Sequence, residues 1–500
     1  MNNDQVLRLQ LHASRTIVNY FQSKFEMSGK ILISNLDIVD NEEDCKLALP
    51  YADQLLSTLK NLFQKSLGLN TDVLLEDVLN ALSMLCSVFD LEFAKYSNDF
   101  LPGLKQLLDT IPNTDEKHTN IRLNTIECMG FIITSMRNLD GFATEVDQMM
   151  EYFVNHQNRI AKDDPEQACI MDVYTQISSH MNEGFAKYMP HIFEDILKAY
   201  DIEVKLATHK DSNIEELAKK KFALTGKLDN NLFNFDNFVF DTAAFAIKMA
   251  ASSTVFSIAR NLRKAFYPYV SHTLPVVAKY FNFHVKEISK KALKTLKALD
   301  MACDDQKDMA DIFTNALPNL SLAVHDSILK EDVANVHYVL KQTNKALDFL
   351  SQPLLADNVL ADLLGGLSQV LTFCDQEKKK IIAETKSLED YDDQKKEEIE
   401  KKYEEVNNLM QIVMEMSGTL LKQYGDKVEG LIGNGIAPYY YNFLMNSESS
   451  FSVNETLYAV CLFCDILEYA SLNVNYTIDF NILIYFRCLI KHQVKQQRSF

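Results

Sequence analysis

An all-α chain, built as an α-solenoid of antiparallel helix pairs wound into a right-handed superhelix, is the fold class the sequence predicts. Two observations carry this. Hydrophobic residues make up 47% of the 500-residue chain and recur at three-and-four spacing, while glycine (14) and proline (10) are too scarce for a β-rich fold or for many linkers. Seven of the ten prolines also precede an apolar helix-periodic run: Pro50, Pro102, Pro190, Pro275, Pro318, Pro353 and Pro438. Proline has no N–H to offer and a φ already near the helical value, so the first turn of a helix is where it costs least. Their separations are 52, 88, 85, 43, 35 and 85 residues, close to one or two helical-hairpin repeats except at the two gaps of 85.

Taken in chain order, a helix near 5–22 comes first, unpaired and of the second-helix type. Pro102 opens a first helix with Leu104, Leu107, Leu108 and Ile111, and Pro112, Asn113 and Asp115 make a turn. The second helix carries Ile121, Ile126, Met129, Ile132 and Ile133. The next first helix, near 142–157, keeps the pattern without the proline (Phe142, Val146, Met149, Met150, Phe153), and its partner spans about 166–181. Phe93…Tyr96, Phe185…Tyr188 and Phe266…Tyr269 recur ahead of first helices, and read as inter-repeat turns whose aromatics plug the groove between hairpins.

The two long gaps are interruptions. After Pro190 the second helix begins only near Phe240, so 201–240 is an insertion within one hairpin. After Pro353 the segment 375–405 is a charged insertion containing Glu389-Asp-Tyr-Asp-Asp393 and Glu397-Glu-Ile-Glu-Lys-Lys402, either a solvated helix held by charge pairs or a loop. About eight hairpins are expected between 50 and 470, in a single solenoid over 1–500. Half-repeats near 5–22 and 478–490 are expected to make the chain a segment of a longer array.

The formal net charge of −19 disfavours nucleic acid and anionic membrane and attracts basic partners, but it also fits ordinary acidic solubility, and composition alone does not decide between the two. Nine cysteines are scattered singly, with no signal-like start, as expected of a reducing compartment. The one C-x-x-C, Cys461 and Cys464, lies in a helical run without a second pair or a nearby histidine and reads as core packing, not metal. No uncharged apolar stretch reaches membrane-spanning length. No phosphate-loop, dinucleotide or nucleophile-elbow motif is present, so no catalytic residue, cofactor or enzymatic role is expected.

The helix pairs resemble HEAT repeats. Glu43-Asp-Cys-Lys-Leu-Ala-Leu-Pro-Tyr51 with Asp53-Gln-Leu-Leu, Leu75-Glu-Asp-Val-Leu-Asn-Ala-Leu82 with Phe93, Tyr96 and Pro102, and Thr125-Ile-Glu-Cys128 are similar to importin-β (karyopherin-β) family sequence. The insertions at 201–240 and 386–405 place the resemblance in that family's importin-5, or importin β-3, branch, over its middle and later repeats. The chain departs from the family in having no tryptophan and lysine-interleaved insertions. It also has no counterpart of the amino-terminal repeats that bind the GTPase Ran.

The resemblance implies a nuclear transport receptor that shuttles between cytoplasm and nucleus. Such a receptor holds basic cargo segments and touches phenylalanine-glycine repeats of pore proteins, with Ran release left open by the missing repeats. In this family second helices line the cargo face. Three-or-four spacing offers Glu76 and Asn80, Asn124 and Glu127, and Asp172 and Gln176 as candidate cargo-binding residues: carboxylates for lysines, amides for the peptide backbone. Any amphipathic helix shows a polar stripe, however, and a HEAT scaffold subunit organising a multiprotein complex without transport fits the same pattern.

Overall fold

The structure, a computed structural model, describes residues 12–16, 19–20, 49–69, 72–112, 118–204, 206–208, 238–240, 242–283, 285–350, 352–386, 393–445 and 453–470. It divides into two compact units, Met1–Phe266 and Tyr267–Phe500. The expected half-repeat near 478–490 and most of 201–240 lie outside the described residues.

In the first unit, α1 (Ala52–Leu69) pairs with α2 (Asp72–Phe89), α3 (Ser97–Thr110) with α4 (Thr119–Ser135), and α5 (Phe142–Gln157) with α6 (Glu166–Met181). Helix α7 (Met189–Tyr200) pairs with α8 (Thr242–Leu262). Between these two, β1 (Leu206–Thr208) and β2 (Phe238–Phe240) form an antiparallel ribbon with Leu206 opposite Phe240. The second helices α2, α4, α6 and α8 pack successively against one another. They are therefore covered on several faces, and in α4 only Asn120 is exposed.

The second unit holds α9 (Val270–Ala278), α10 (Lys286–Asp300), α11 (Gln306–Leu329), α12 (Val333–Leu347), α13 (Asp357–Lys386), α14 (Asp393–Tyr424), α15 (Asp426–Gly435), α16 (Ala437–Met445) and α17 (Val453–Tyr469). The charged stretch 375–405 turns out helical wherever it is described. Its two arms are the end of α13 and the start of α14, which pack on each other. Pairs along the helices support them: Lys379 with Asp375 at 2.5 Å, Lys380 with Glu377 at 2.7 Å, and Lys402 with Glu398 at 3.4 Å.

Polar contacts between neighbouring hairpins show the repeat length directly. Asn120 donates to Glu76 and Asn282 to Asp326, each across 44 residues, and Tyr152 donates to Asp109 across 43. Where α6 meets α8 the offset rises to 79 for Thr175 with Thr254 and 83 for Asn261 with Ser178. Where α13 and α14 intervene it reaches 77, between Lys378 and Glu455.

Pro190 sits in the first turn of α7, and Pro438 is the second residue of α16. Pro102 and Pro275 instead lie inside α3 and α9, and Pro318 lies in the middle of the 24-residue α11. The helices begin earlier than the prolines predict because short 3-10 helices, Asp90–Tyr96 and Arg263–Tyr269, run straight into them. Each internal proline then removes one i→i−4 bond, and at Pro318 its ring pushes on the preceding turn, a cause of bending.

The recurrent Phe-x-x-Tyr signal marks these 3-10 corners. Phe93, Phe185 and Phe266 are buried as plugs. The two Lys-Tyr pairs that follow hold an aspartate of the preceding hairpin. Tyr96 donates to Asp53 with Lys95 3.4 Å away, and Tyr188 donates to Asp147 at 2.6 Å with Lys187 also at 2.6 Å.

Candidate functional site

The six sequence-predicted residues all fall on the second-helix layer of the first unit, but none is freely exposed. Glu76 and Asn80 on α2, Glu127 on α4, and Asp172 and Gln176 on α6 are half-buried, and Asn124 is 4% exposed. The reason is local: α4 and α6 each have a second helix on either side, and α2 has one against α4, so only a narrow line of each reaches solvent. Asn124 thus lies beneath the stripe rather than on it.

Glu76 is oriented by α4, accepting a hydrogen bond from Asn120 at 3.1 Å. The sequence does not single out Asn120, because only the 44-residue register shows that it faces Glu76. Gln176 is set by the close approach of α4 and α6. A Cβ added to Gly130 would stand 2.7 Å from Val173 Cγ2 and 3.2 Å from Gln176 Oε1, so only glycine lets the helices meet there. Gln176 Oε1 itself is buried without a hydrogen-bond partner.

At α8 the stripe changes character: Arg260 lies 5.4 Å from the centre of the Phe256 ring, a cation–π pair, on the half-exposed side of the helix. Carboxylates and amides on α2, α4 and α6 can hold an ammonium group and an extended backbone; α8 presents an aromatic-cation surface instead. His180, at the end of α6, is held neutral by burial and by nearby Arg137, both of which lower its pKa.

Beneath the stripe a buried ionic cluster ties α4, α5 and α6 together. Arg122 donates to Glu166 and, at 2.8 Å, to the Pro112 carbonyl, and His156 Nε2 lies 2.7 Å from the other Glu166 oxygen. Burial would raise the Glu166 pKa, but the hydrogen bonds from His156 and Arg122 outweigh it and hold the carboxyl below its usual range. Arg122 and Glu166 stand 44 residues apart, one repeat, and that spacing was the available signal. The cluster fixes the layer and presents nothing to a ligand.

Among the described residues no group of three or more His, Cys, Asp or Glu side chains could hold a metal ion, and no helix is long and apolar enough to cross a membrane.

A family model described as importin subunit beta-1-like TPR repeats matches residues 26–217. No curated protein matches the chain by sequence. The fold is that of Kap121p. The structure of Kap121p bound to Pho4p superposes with a TM-score of 0.64 at 15% identity, over 92% of this chain and 39% of that one. Kap121p bound to the SUMO protease Ulp1p gives 0.63 at 15% identity with the same coverage, and Kap121p bound to Nup53p gives 0.64 at 15% identity, also over 92% and 39%. The chain therefore spans about two fifths of the length of these karyopherins. The HEAT-repeat α-solenoid class follows from this likeness, and the 43- and 44-residue registers fit HEAT repeats better than the roughly 34 of a tetratricopeptide.

Proposed function

We propose that this chain is the cargo-holding part of a nuclear transport receptor of importin-β type, acting by binding lysine-rich segments of protein cargo along the second-helix layer of its first unit. The observation that carries the reading is the continuous likeness to Kap121p over 92% of the chain, structures of which are described as bound to Pho4p, Ulp1p and Nup53p. The family-model match over 26–217 and the carboxylate–amide line of Glu76, Asn80, Glu127, Asp172 and Gln176 support it. In this reading the receptor belongs to the importin-5 branch, shuttles between cytoplasm and nucleus, and touches phenylalanine-glycine repeats of the pore. It has no catalytic role. Ran binding is the member of the cycle for which these residues offer no determinant.

The test is a pull-down with the full chain against an immobilised lysine-rich signal peptide and against Ran loaded with GTP, repeated with Glu76→Lys/Asp172→Lys. Capture of the peptide by the wild type, reduced at least tenfold in the double variant, is the expected result. No capture of either, with a stable enzyme complex recovered from lysate instead, would establish the scaffold reading and end this one.

A further inference from the structure

The second unit carries a groove of about 740 Å³ between α9 and α11, the first helices of two consecutive pairs. Its two walls differ in chemistry. The α9 side and the floor are apolar, with Leu274, Pro275 and, from α11, Ile312. The α11 side lines it with Asp308, Asp311, Asn315 and Asn319, a run at three-and-four spacing and therefore one continuous face of the helix.

Asp311 and Asn315 are exposed and Asn319 half-exposed, and among the described residues none of the three has a side-chain hydrogen bond or ion pair. Tyr267, 45% exposed, lines the groove together with Asp308 and Asp311, so an aromatic face shares it with two carboxylates. Ring and carboxylates together attract a cation more than either alone. The amides beyond them offer donors and acceptors to a backbone that has no sheet edge to pair with. From Asp308 to Asn319 the helix rises about 16 Å, the length of about five extended residues. Lys279 borders the groove at the other end of α9 from Tyr267, which disfavours a second cation there.

We propose that this groove seats an extended partner segment of about five residues, its lysine or arginine held by Tyr267, Asp308 and Asp311, its backbone by Asn315 and Asn319, and an apolar side chain on Leu274 and Pro275. The complementary charge of a partner drawn to a chain of net −19 selects this occupant over an acidic one. The site stands apart from the transport reading and survives its failure.

The probe is the fluorescein-labelled peptide Gly-Lys-Leu-Ala-Leu-Gly, titrated with the full chain and followed by anisotropy. Wild type should bind it, Asp311→Lys with Asn315→Leu should weaken binding at least tenfold, and the peptide with glutamate in place of lysine should not bind. Because both altered residues are exposed, the variant should keep the wild-type circular dichroism and melting temperature. Glu183→Lys, a charge change on an exposed residue elsewhere, should leave binding within twofold. No binding to wild type, binding indifferent to the groove variant, or equal and Asp311-independent binding of a neutral Phe-Gly peptide would each overturn the proposal.

Discussion

At the scale of single residues, Glu166 and Asp300 are buried carboxylates of opposite kind. Glu166 is buried with Arg122 and His156 around it, so its folded pKa is depressed; its contribution is present above the unfolded value and lost as pH falls through the folded one. Asp300, the last residue of α10, is 2% exposed, and neither of its oxygens has a hydrogen-bond partner. Burial raises its pKa well above the ordinary value. The folded chain therefore keeps a proton on Asp300 that the unfolded chain releases above pH of about 4. Stability declines as pH rises from there toward the folded pKa. Asp300→Asn removes that titration. The variant is expected to melt higher than wild type at pH 8, by the equivalent of about 1–2 kcal/mol, with a smaller difference at pH 5. Thermal denaturation of the full chain at the two pH values measures this, and an identical difference at both would show that Asp300 is ionised in the fold.

At the scale of elements, the corners decide how one pair leads to the next. Three 3-10 corners open on a residue with positive φ that is not glycine: Asp90 (44°), Asn182 (48°) and Arg263 (48°). Asn182 combines this with ψ −128°, nearly the conformation of Gly425 between α14 and α15 (φ 53°, ψ −126°). A Cβ is strained there, by about 1–3 kcal/mol, against roughly 0.5–1 for the extra freedom of an unfolded glycine. Asn182→Gly should thus raise stability by about 1 kcal/mol, read as a higher denaturation midpoint at unchanged m-value; a lower midpoint would mean the asparagine side chain has a compensating role. The sequence displays the aromatic half of these corners, because Phe93, Phe185 and Phe266 recur at a fixed place. It hides the backbone half, because Asp90, Asn182 and Arg263 share no residue type. The same contrast holds at the candidate site. Apolar spacing places Glu76, Asn124 and Asp172 on second helices, but burial of Asn124 comes from neighbouring helices, which periodicity within one helix cannot show. Likewise the α9–α11 groove needs two helices about 40 residues apart to be seen as one surface.

At the scale of the molecule, the excess of 69 acidic over 50 basic residues gives both proposed surfaces the same sign of field. A field of this kind acts through the screening length, which shrinks from about 30 Å at 0.01 M salt to about 3 Å at 1 M. Contacts carried by carboxylates on half-exposed lines such as Glu76 and Asp172 are therefore sensitive to ionic strength, whereas burial of an aromatic ring is not. This separates the two kinds of partner named in the proposed function. Affinity for a lysine-rich signal peptide should fall at least tenfold between 50 and 500 mM sodium chloride, most of it through slower association. Binding of a phenylalanine-glycine peptide should change by less than twofold over the same range. Surface plasmon resonance with the full chain resolves both the affinity and the rate. A lysine-rich peptide whose affinity is flat in salt would place its binding energy in apolar contacts, and the carboxylates of the second-helix layer would then lose their assigned role even if the peptide bound well.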